Sequence, residues 1–448
     1  MDYELKKIDA DKFAVLARIF SGQDNFAQSA EMGEARRLLG WQVSYLALFR
    51  GEEAVCVGMA ALSDSKAPVL DFFCGPLGNL ADAEVCQAWT RAVRAHAREL
   101  RAASLHSNPN IVYRRLDPFG LPLEQGGEDS AGAAATAAAA ATVGQATINN
   151  LRQAGWSWEG LTIKSAQPRF LYKLDLLDDY QSNFKSFAVS VRTATRRARE
   201  NALTLRRVGR EELNVFKRVL EETAERQGFA DRELRYYQAL YDAFGTNAHF
   251  MLVDLHPNKL RQALKSKIAS LSQARDEAHG KGRKQQLSDQ IAGAEKLLRQ
   301  AEGFGAANSP TAATPAPSDG GNAKSSLPGT AAADDSFAIA ICAGLFIRRH
   351  NELIYLFGGT RTGYLSLNAV YLLQEHMMQQ CLDWGLRRYN FYGISGAFDP
   401  ADSTYGVLAF KQAFGGYIEE LIGDFSIILS PLRHNANRLA GRLRRLAR

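Results

Sequence analysis

Near the end of the chain stand two runs, Tyr389-Asn390-Phe391-Tyr392-Gly393-Ile394-Ser395-Gly396 and Tyr405-Gly406-Val407-Leu408-Ala409-Phe410-Lys411-Gln412-Ala413-Phe414-Gly415-Gly416. The first reads as a strand opening into a glycine-bearing loop. The second reads as a short helix that carries one lysine and stops at two glycines. Glycine lets backbone approach a bulky ligand, and lysine supplies a point charge for an oxyanion or a phosphate. A lysine on a short helix is also an ordinary surface residue, so the run alone nominates Lys411 and no more.

Working outward, helices and strands alternate. Asp82–Ala103, with Asp82 as N-cap, Glu211–Gln227 and Leu367–Trp384 have the spacing of amphipathic helices. Val43–Phe49 and Ala54–Leu62 read as strands flanking an Arg50-Gly51 turn, and Phe337–Ile347 and Leu353–Phe357 as a second pair. The expectation is a mixed α/β (α+β) architecture. A chain of 448 residues, 46% hydrophobic and 10% aromatic, has ample material for several packed cores. Its longest apolar run, 11 residues, is well short of the ~20 of a spanning helix. Met1-Asp2-Tyr3-Glu4 lacks the basic and apolar regions of a secretory signal. The cysteines at 56, 74, 86, 342 and 381 are odd in number, scattered, and outside any metal-ligand spacing. They read as buried thiols of a cytoplasmic protein with no zinc site.

The formal charge of +6 is unevenly placed. Asn258–Glu302 carries ten Lys/Arg against five Asp/Glu, and Arg433–Arg448 carries six Arg and no acid, which leaves the remaining chain mildly acidic. Basic stretches on an acidic body point to a polyanionic partner. Within 258–302, Leu260, Leu264, Ile268 and Leu271 recur at helical spacing. After His279-Gly280-Lys281-Gly282 the pattern resumes with Leu287, Ile291, Ala294 and Leu298. This predicts an antiparallel helical hairpin projecting as a basic arm, with limbs of ~20 residues and ~30 Å. Its exposed cations Lys259, Lys265, Arg275, Lys281, Arg283 and Lys284 are the candidate RNA contacts; a dimer contact or a spacer is the alternative. Gln125–Ala146 is Ala-rich with no apolar face to anchor a helix, and Gly303–Asp335 reads as a flexible linker. The tail places Leu439, Leu443 and Leu446 on one side of a short basic helix suited to an anionic membrane surface.

The closing segment Tyr389–Gly416 resembles the signature of the Fem-type (FemABX) peptidoglycan aminoacyltransferases, and the likeness extends along the chain. Asn25-Phe26-Ala27-Gln28-Ser29, Phe73-Cys74-Gly75-Pro76-Leu77, Gln167-Pro168-Arg169-Phe170 with Leu174-Asp175-Leu176, Arg192 with Arg196-Arg197-Ala198, and Thr223–Phe229 with Tyr236-Tyr237 follow the family's order. The arm stands where many members carry a coiled-coil insertion. The resemblance implies two GNAT-like acyltransferase domains: 1–168, and 169–423 interrupted by the arm (258–302) and the linker (303–335). Residues 424–448 would return to the first domain and end in the basic tail. It implies transfer of an amino acid from aminoacyl-tRNA to the side-chain amine of a lipid-linked or UDP-linked muramyl-pentapeptide. No cofactor is needed and no acetyl-CoA is used. Peripheral contact with the membrane and a homo- or hetero-dimer are further expectations.

By the same resemblance Lys411 lies at the reactive centre, beside Phe410, Gly415 and Gly416. Tyr355, on an aromatic strand that ends near the site, is the second catalytic candidate, or simply packs. Arg36 and Arg192 match basic positions that contact the diphosphate of the precursor, a task suited to a guanidinium. Two positions depart from the pattern. Met32 replaces a common aromatic, and Ser107-Asn108-Pro109-Asn110 lacks an Asp found before proline in relatives, so no general base is evident. Two rival readings are an acetyl-CoA-dependent N-acetyltransferase and an inactive tRNA-binding or scaffold relative. The only match to a pyrophosphate-binding loop, Gln300–Gly305, follows the arm rather than a strand.

Overall fold

Strands Gln42–Arg50 and Glu53–Leu62 pair antiparallel about Gly51, with one register slip between Leu48 and Phe49, and the φ of +61° at Gly51 is one a side chain would resist. They head the first of two eight-stranded sheets in a computed structural model that describes residues 2–123, 131–161, 167–228, 230–304 and 338–434. Along the first sheet the order is Tyr3–Ile8, Gln42–Arg50, Glu53–Leu62, Val69–Phe72, Ser104–Ser107, Phe425–Ile428 and Ser157–Trp158, with Leu77–Gly78 on the side of the third. The strand at 425–428 thus inserts from the end of the chain.

The second sheet runs Leu203–Arg207, Ala248–Leu255, Ile339–Arg348, Glu352–Thr360, Arg388–Ile394, Phe170–Asp175, Tyr417–Leu421 and Val112–Leu116. Its last strand comes from within 1–168, so each sheet borrows a strand from the other's stretch of chain. Three clusters of buried apolar side chains hold the molecule. One belongs to the first sheet around Phe72, Trp89 and Phe425, and one to the second around Tyr172, Tyr389 and Phe391. The third joins the sheets: Phe13, Phe26 and Tyr45 pack with Phe216, Tyr237 and Phe250. At about 1.5–3 kcal/mol per large buried side chain, this shared core is a strong bond between the two halves.

The amphipathic patterns form helices Ala83–Glu99, Leu213–Gln227 and Ala369–Asp383, and Asp82 caps the first by accepting from the amides of Glu84 and Val85. The arm is a helical hairpin, Pro257–Glu277 and Lys281–Gly303, with Leu260, Leu264, Leu287, Ile291 and Ala294 buried along its seam. Its base is not free-standing. Leu260, Leu264, Ala294 and Ala301 join the second sheet's core, and Lys267 pairs with Glu200 of the body. The match Gln300–Gly305 enters from the arm's second helix, not a strand, and Gly305 lies outside the described residues.

One expectation needs correction. The Ala-rich segment is anchored: helix Ala131–Gln153 buries Thr147, Ile148 and Leu151. Gly144 lets it press against the Val112 carbonyl, where a Cβ would clash. Its large apolar anchors, Ile148 and Leu151, sit just past residue 146, beyond the low-complexity window. Residues 305–335 of the linker, 125–130 of the Ala-rich insert, Phe229, and 435–448 of the tail with its three leucines lie outside the described residues. At the tail's start Arg433 donates to the Arg101 carbonyl at 2.9 Å. No helix among the described residues is long and apolar enough to cross a membrane.

Candidate active site

Strand Arg388–Ile394 carries a bulge. Its register against Phe170–Asp175 slips between Asn390 and Tyr392, and Tyr392 takes a left-handed φ of +63°. The Asn390 side chain holds the distortion by accepting from the Tyr392 amide at 2.8 Å while donating to Glu352 at 3.1 Å. A bulge re-aims backbone groups, and here two carbonyls meet the lysine. Lys411 Nζ, on helix Tyr405–Gln412, donates to the Gly393 carbonyl at 2.6 Å and the Tyr392 carbonyl at 3.4 Å. Its residue is only 5% exposed, and burial, unopposed by any carboxylate among the described residues, pushes its pKa down to about 7.

Lys411 and Phe410 line a cleft of about 920 Å³ whose walls include Tyr355, Phe357, Phe391 and Tyr392. Gly358 and Gly359 continue the strand along it, and Thr223 and Arg226 close one side. Arg226 is itself fixed, donating to the Thr360 carbonyl at 2.8 Å and the Thr362 hydroxyl at 3.0 Å. The result is an aromatic-walled cleft with one buried amine, the form of a small-molecule or chain-end site.

The other candidate residues are distributed around this centre. Tyr355 stacks on Phe346 at 4.9 Å, and burial raises the pKa of its phenol, so it remains protonated and serves as a wall. Gly415 and Gly416 are not among the cleft's lining residues. They turn the lysine helix into strand Tyr417–Leu421, and a Cβ on Gly416 (φ +106°) would strike the Lys173 carbonyl. Arg192 turns back on its own chain, donating to the Lys185 and Phe187 carbonyls at 2.6 and 2.9 Å. Its helix starts beside the lysine helix, where the Ala188 amide reaches the Ala413 carbonyl at 2.9 Å.

Arg36 sits apart from the cleft, on helix Ala30–Leu38 of the first domain. Its guanidinium lies 3.6 Å from the ring centre of Phe73 and 5.5 Å from that of Trp41, and its buried Nε has no hydrogen-bond partner among the described residues. Burial lowers its pKa, and the charge of Asp71 works against that. Asp71 belongs to a ladder that the sequence reading missed. His106 lies 3.0 Å from Asp71 and 3.2 Å from Asp424, one carboxylate on each ring nitrogen. Burial would lower the His106 pKa, but the hydrogen bonds and charges of Asp424 and Asp71 outweigh it and hold the imidazolium up at about 10. The three residues come from three neighbouring strands or their ends, a juxtaposition that sheet order alone creates.

The N-terminal motif has a physical account. Asn25 caps a 3₁₀ turn and Ser29 caps helix Ala30–Leu38. Gln28, fully buried, stitches the Met59 and Phe73 backbones together, and its amide leaves room for no side chain at Gly75. Phe26 meets Tyr392 edge to face at 5.7 Å, which ties this motif to the bulged strand. On the arm, Lys259, Lys265, Lys281, Arg283 and Lys284 are exposed, whereas half-buried Arg275 pairs with Asp276 at 3.0 Å.

The pattern of the FemAB family matches residues 19–442. The chain is 24% identical over 430 residues to the lipid II:glycine glycyltransferase of Staphylococcus epidermidis, covering 93% of this chain and 91% of that one. Aminoacyltransferase FemA of the same species is 25% identical over 265 residues, 56% of each chain. Among solved structures, FemX superposes with a TM-score of 0.65 at 21% identity, covering 96% of this chain and 99% of that one. This likeness shows the fold, a mixed α/β architecture built on two eight-stranded sheets, and on it the chain carries a helical-hairpin arm. With a family match across nearly its whole length, the chain belongs to the FemAB family.

Proposed function

We propose that this chain is an aminoacyltransferase of peptidoglycan cross-bridge synthesis. It transfers an aminoacyl group from aminoacyl-tRNA to the side-chain amine of the stem peptide on a lipid-linked precursor. Family membership and the names of the two relatives support the reaction class. The observation that carries the mechanism is Lys411, buried at the wall of the aromatic cleft and held by two carbonyls.

An aminoacyl ester is already an activated donor. The acceptor amine attacks its carbonyl, a C–N bond forms, the ester C–O bond breaks, and the amine's proton ends on the released ribose hydroxyl. The protein must align the two reactants, exclude water that would hydrolyse the ester, and stabilise the tetrahedral oxyanion. The aromatic walls do the second. An ammonium has three donors, and two of those on Lys411 are spent on carbonyls, so the third is available to the oxyanion.

Replacing Lys411 by Ala is expected to lower turnover about 10²–10³-fold, measured by single-turnover transfer with the fold checked by circular dichroism. Near-normal turnover in folded protein contradicts the role. The depressed pKa favours a second reading, in which neutral Lys411 accepts the amine's proton. The ratio of wild-type to Lys411→Arg activity separates the two, because arginine remains charged. Oxyanion stabilisation predicts a ratio that falls above pH 7, and base catalysis predicts one that rises toward it.

Arg36, whose buried Nε has no partner among the described residues, suits one phosphate of the precursor's diphosphate, and Arg192 a second once its carbonyl contacts yield. A lipid-linked acceptor puts the enzyme at the inner face of the membrane. The arm's exposed lysines suit the RNA of the donor better than a dimer contact, since like charges on two copies would repel.

A further inference from the structure

On the second domain, between strands Leu203–Arg207 and Ala248–Leu255 and the helix Ala369–Asp383, lies a separate pocket of about 450 Å³. Among the described residues no Asp or Glu lines it. Arg207, Arg348, His249 and His376 do, together with Trp384 and Gln380. The two arginines named here have no carboxylate partner among the described residues. Arg207 is exposed and donates only to backbone, at 2.9 Å to Ala248 and 3.4 Å to Gly245. Arg348 donates to the Asn247 amide oxygen at 3.3 Å and lies 5.1 Å from the ring centre of Trp384. The third arginine of the lining, Arg206, is neutralised by Asp254 and Glu212.

His249 supplies an independent observation. It is 8% exposed, stacks beside Trp384 at 4.6 Å, and buries an Nε2 with no hydrogen-bond partner among the described residues. A buried polar nitrogen left unpaired costs about 1–3 kcal/mol. Burial holds the imidazole down at about 4, and the charges of Arg207 and Arg348, a positive field inside the pocket, push it the same way. An anion would answer both the field and the open Nε2.

We propose that this pocket binds a phosphate group, clasped by the Arg207 and Arg348 guanidiniums and capped by the His249 Nε2–H. Arginine forks match phosphate geometry, and a neutral imidazole in the Nε2–H tautomer adds a donor without further charge. The source is either a phosphodiester of bound RNA or a small phosphorylated ligand. The site is separate from the cleft: Val370 lines the cleft and His376 this pocket, six residues or roughly 9 Å along one helix. The inference stands whatever reaction the cleft performs.

The test is calorimetric titration of the full chain with inorganic phosphate at constant ionic strength. Saturable binding is expected, weakened at least tenfold in Arg207→Gln and in His249→Phe, with melting temperatures unchanged. His249→Phe keeps a ring beside Trp384 and covers the case in which Arg207→Gln disturbs the turn it braces. Absence of saturable binding, or binding as tight as the wild type's in both variants, overturns the proposal. A second arm uses deacylated tRNA. If Arg207→Gln lowers the log–log salt slope by about one, the phosphate belongs to RNA. If tRNA binding is unchanged while phosphate binding is lost, the ligand is a small phosphorylated molecule.

Discussion

A buried amine with no carboxylate beside it is costly, and Lys411 shows how that cost depends on pH. Its folded-state pKa of about 7 lies below the ~10.4 of a free lysine. Between those values the unfolded chain binds a proton that the folded chain does not. Stability therefore rises with pH across that window, by about 1.4 kcal/mol per unit. Lys411→Met removes the group, so the variant should exceed the wild type in stability near pH 7 and lose that advantage toward pH 10. Urea unfolding at several pH values measures it, and a gap that does not vary with pH contradicts the burial of an unpaired amine. Lys411 itself was legible in the sequence because it stands inside a dense, ordered motif. Arg207, His249, Arg348, His376 and Trp384 were not, since nothing in their spacing hints that sheet pairing and one helix bring them together.

At the scale of elements, the arm was readable because its seam repeats at helical spacing on both sides of a glycine break. The depth of its base was not. Leu260 and Ala301 are fully buried against the body, a matter of tertiary packing that periodicity does not encode. Excising residues 258–302 would therefore open the second core, and charge replacement is the cleaner probe. Changing Lys265, Lys281, Arg283 and Lys284 to Gln should leave melting unchanged. It should also weaken tRNA binding and reduce its salt slope by about one for each phosphate no longer neutralised. An unaltered slope removes the arm from RNA recognition. The Ala-rich helix shows the opposite limit of sequence reading. Its composition looks unanchored, yet Ile148 and Leu151 just beyond the repeat tie it down.

Over the whole molecule, the two domains act as one body because their elements interlock. Phe26 packs on Tyr392, and Arg349, on the turn after strand Ile339–Arg348, pairs with buried Asp24 at 2.8 Å. The motif at 25–29 therefore buttresses the strand whose bulge holds Lys411, which accounts for two distant motifs appearing in one chain. The Asp71–His106–Asp424 ladder and the exchanged strands at 112–116 and 425–428 were invisible in sequence, since strand order decides them. The most direct test of the central claim is transfer from a mixed, radiolabelled aminoacyl-tRNA pool to lipid-linked stem peptide, with products analysed by mass. The predicted result is a labelled precursor heavier by one aminoacyl residue, lost in Lys411→Ala. Folded wild-type protein that transfers no label from verified charged tRNA would contradict it.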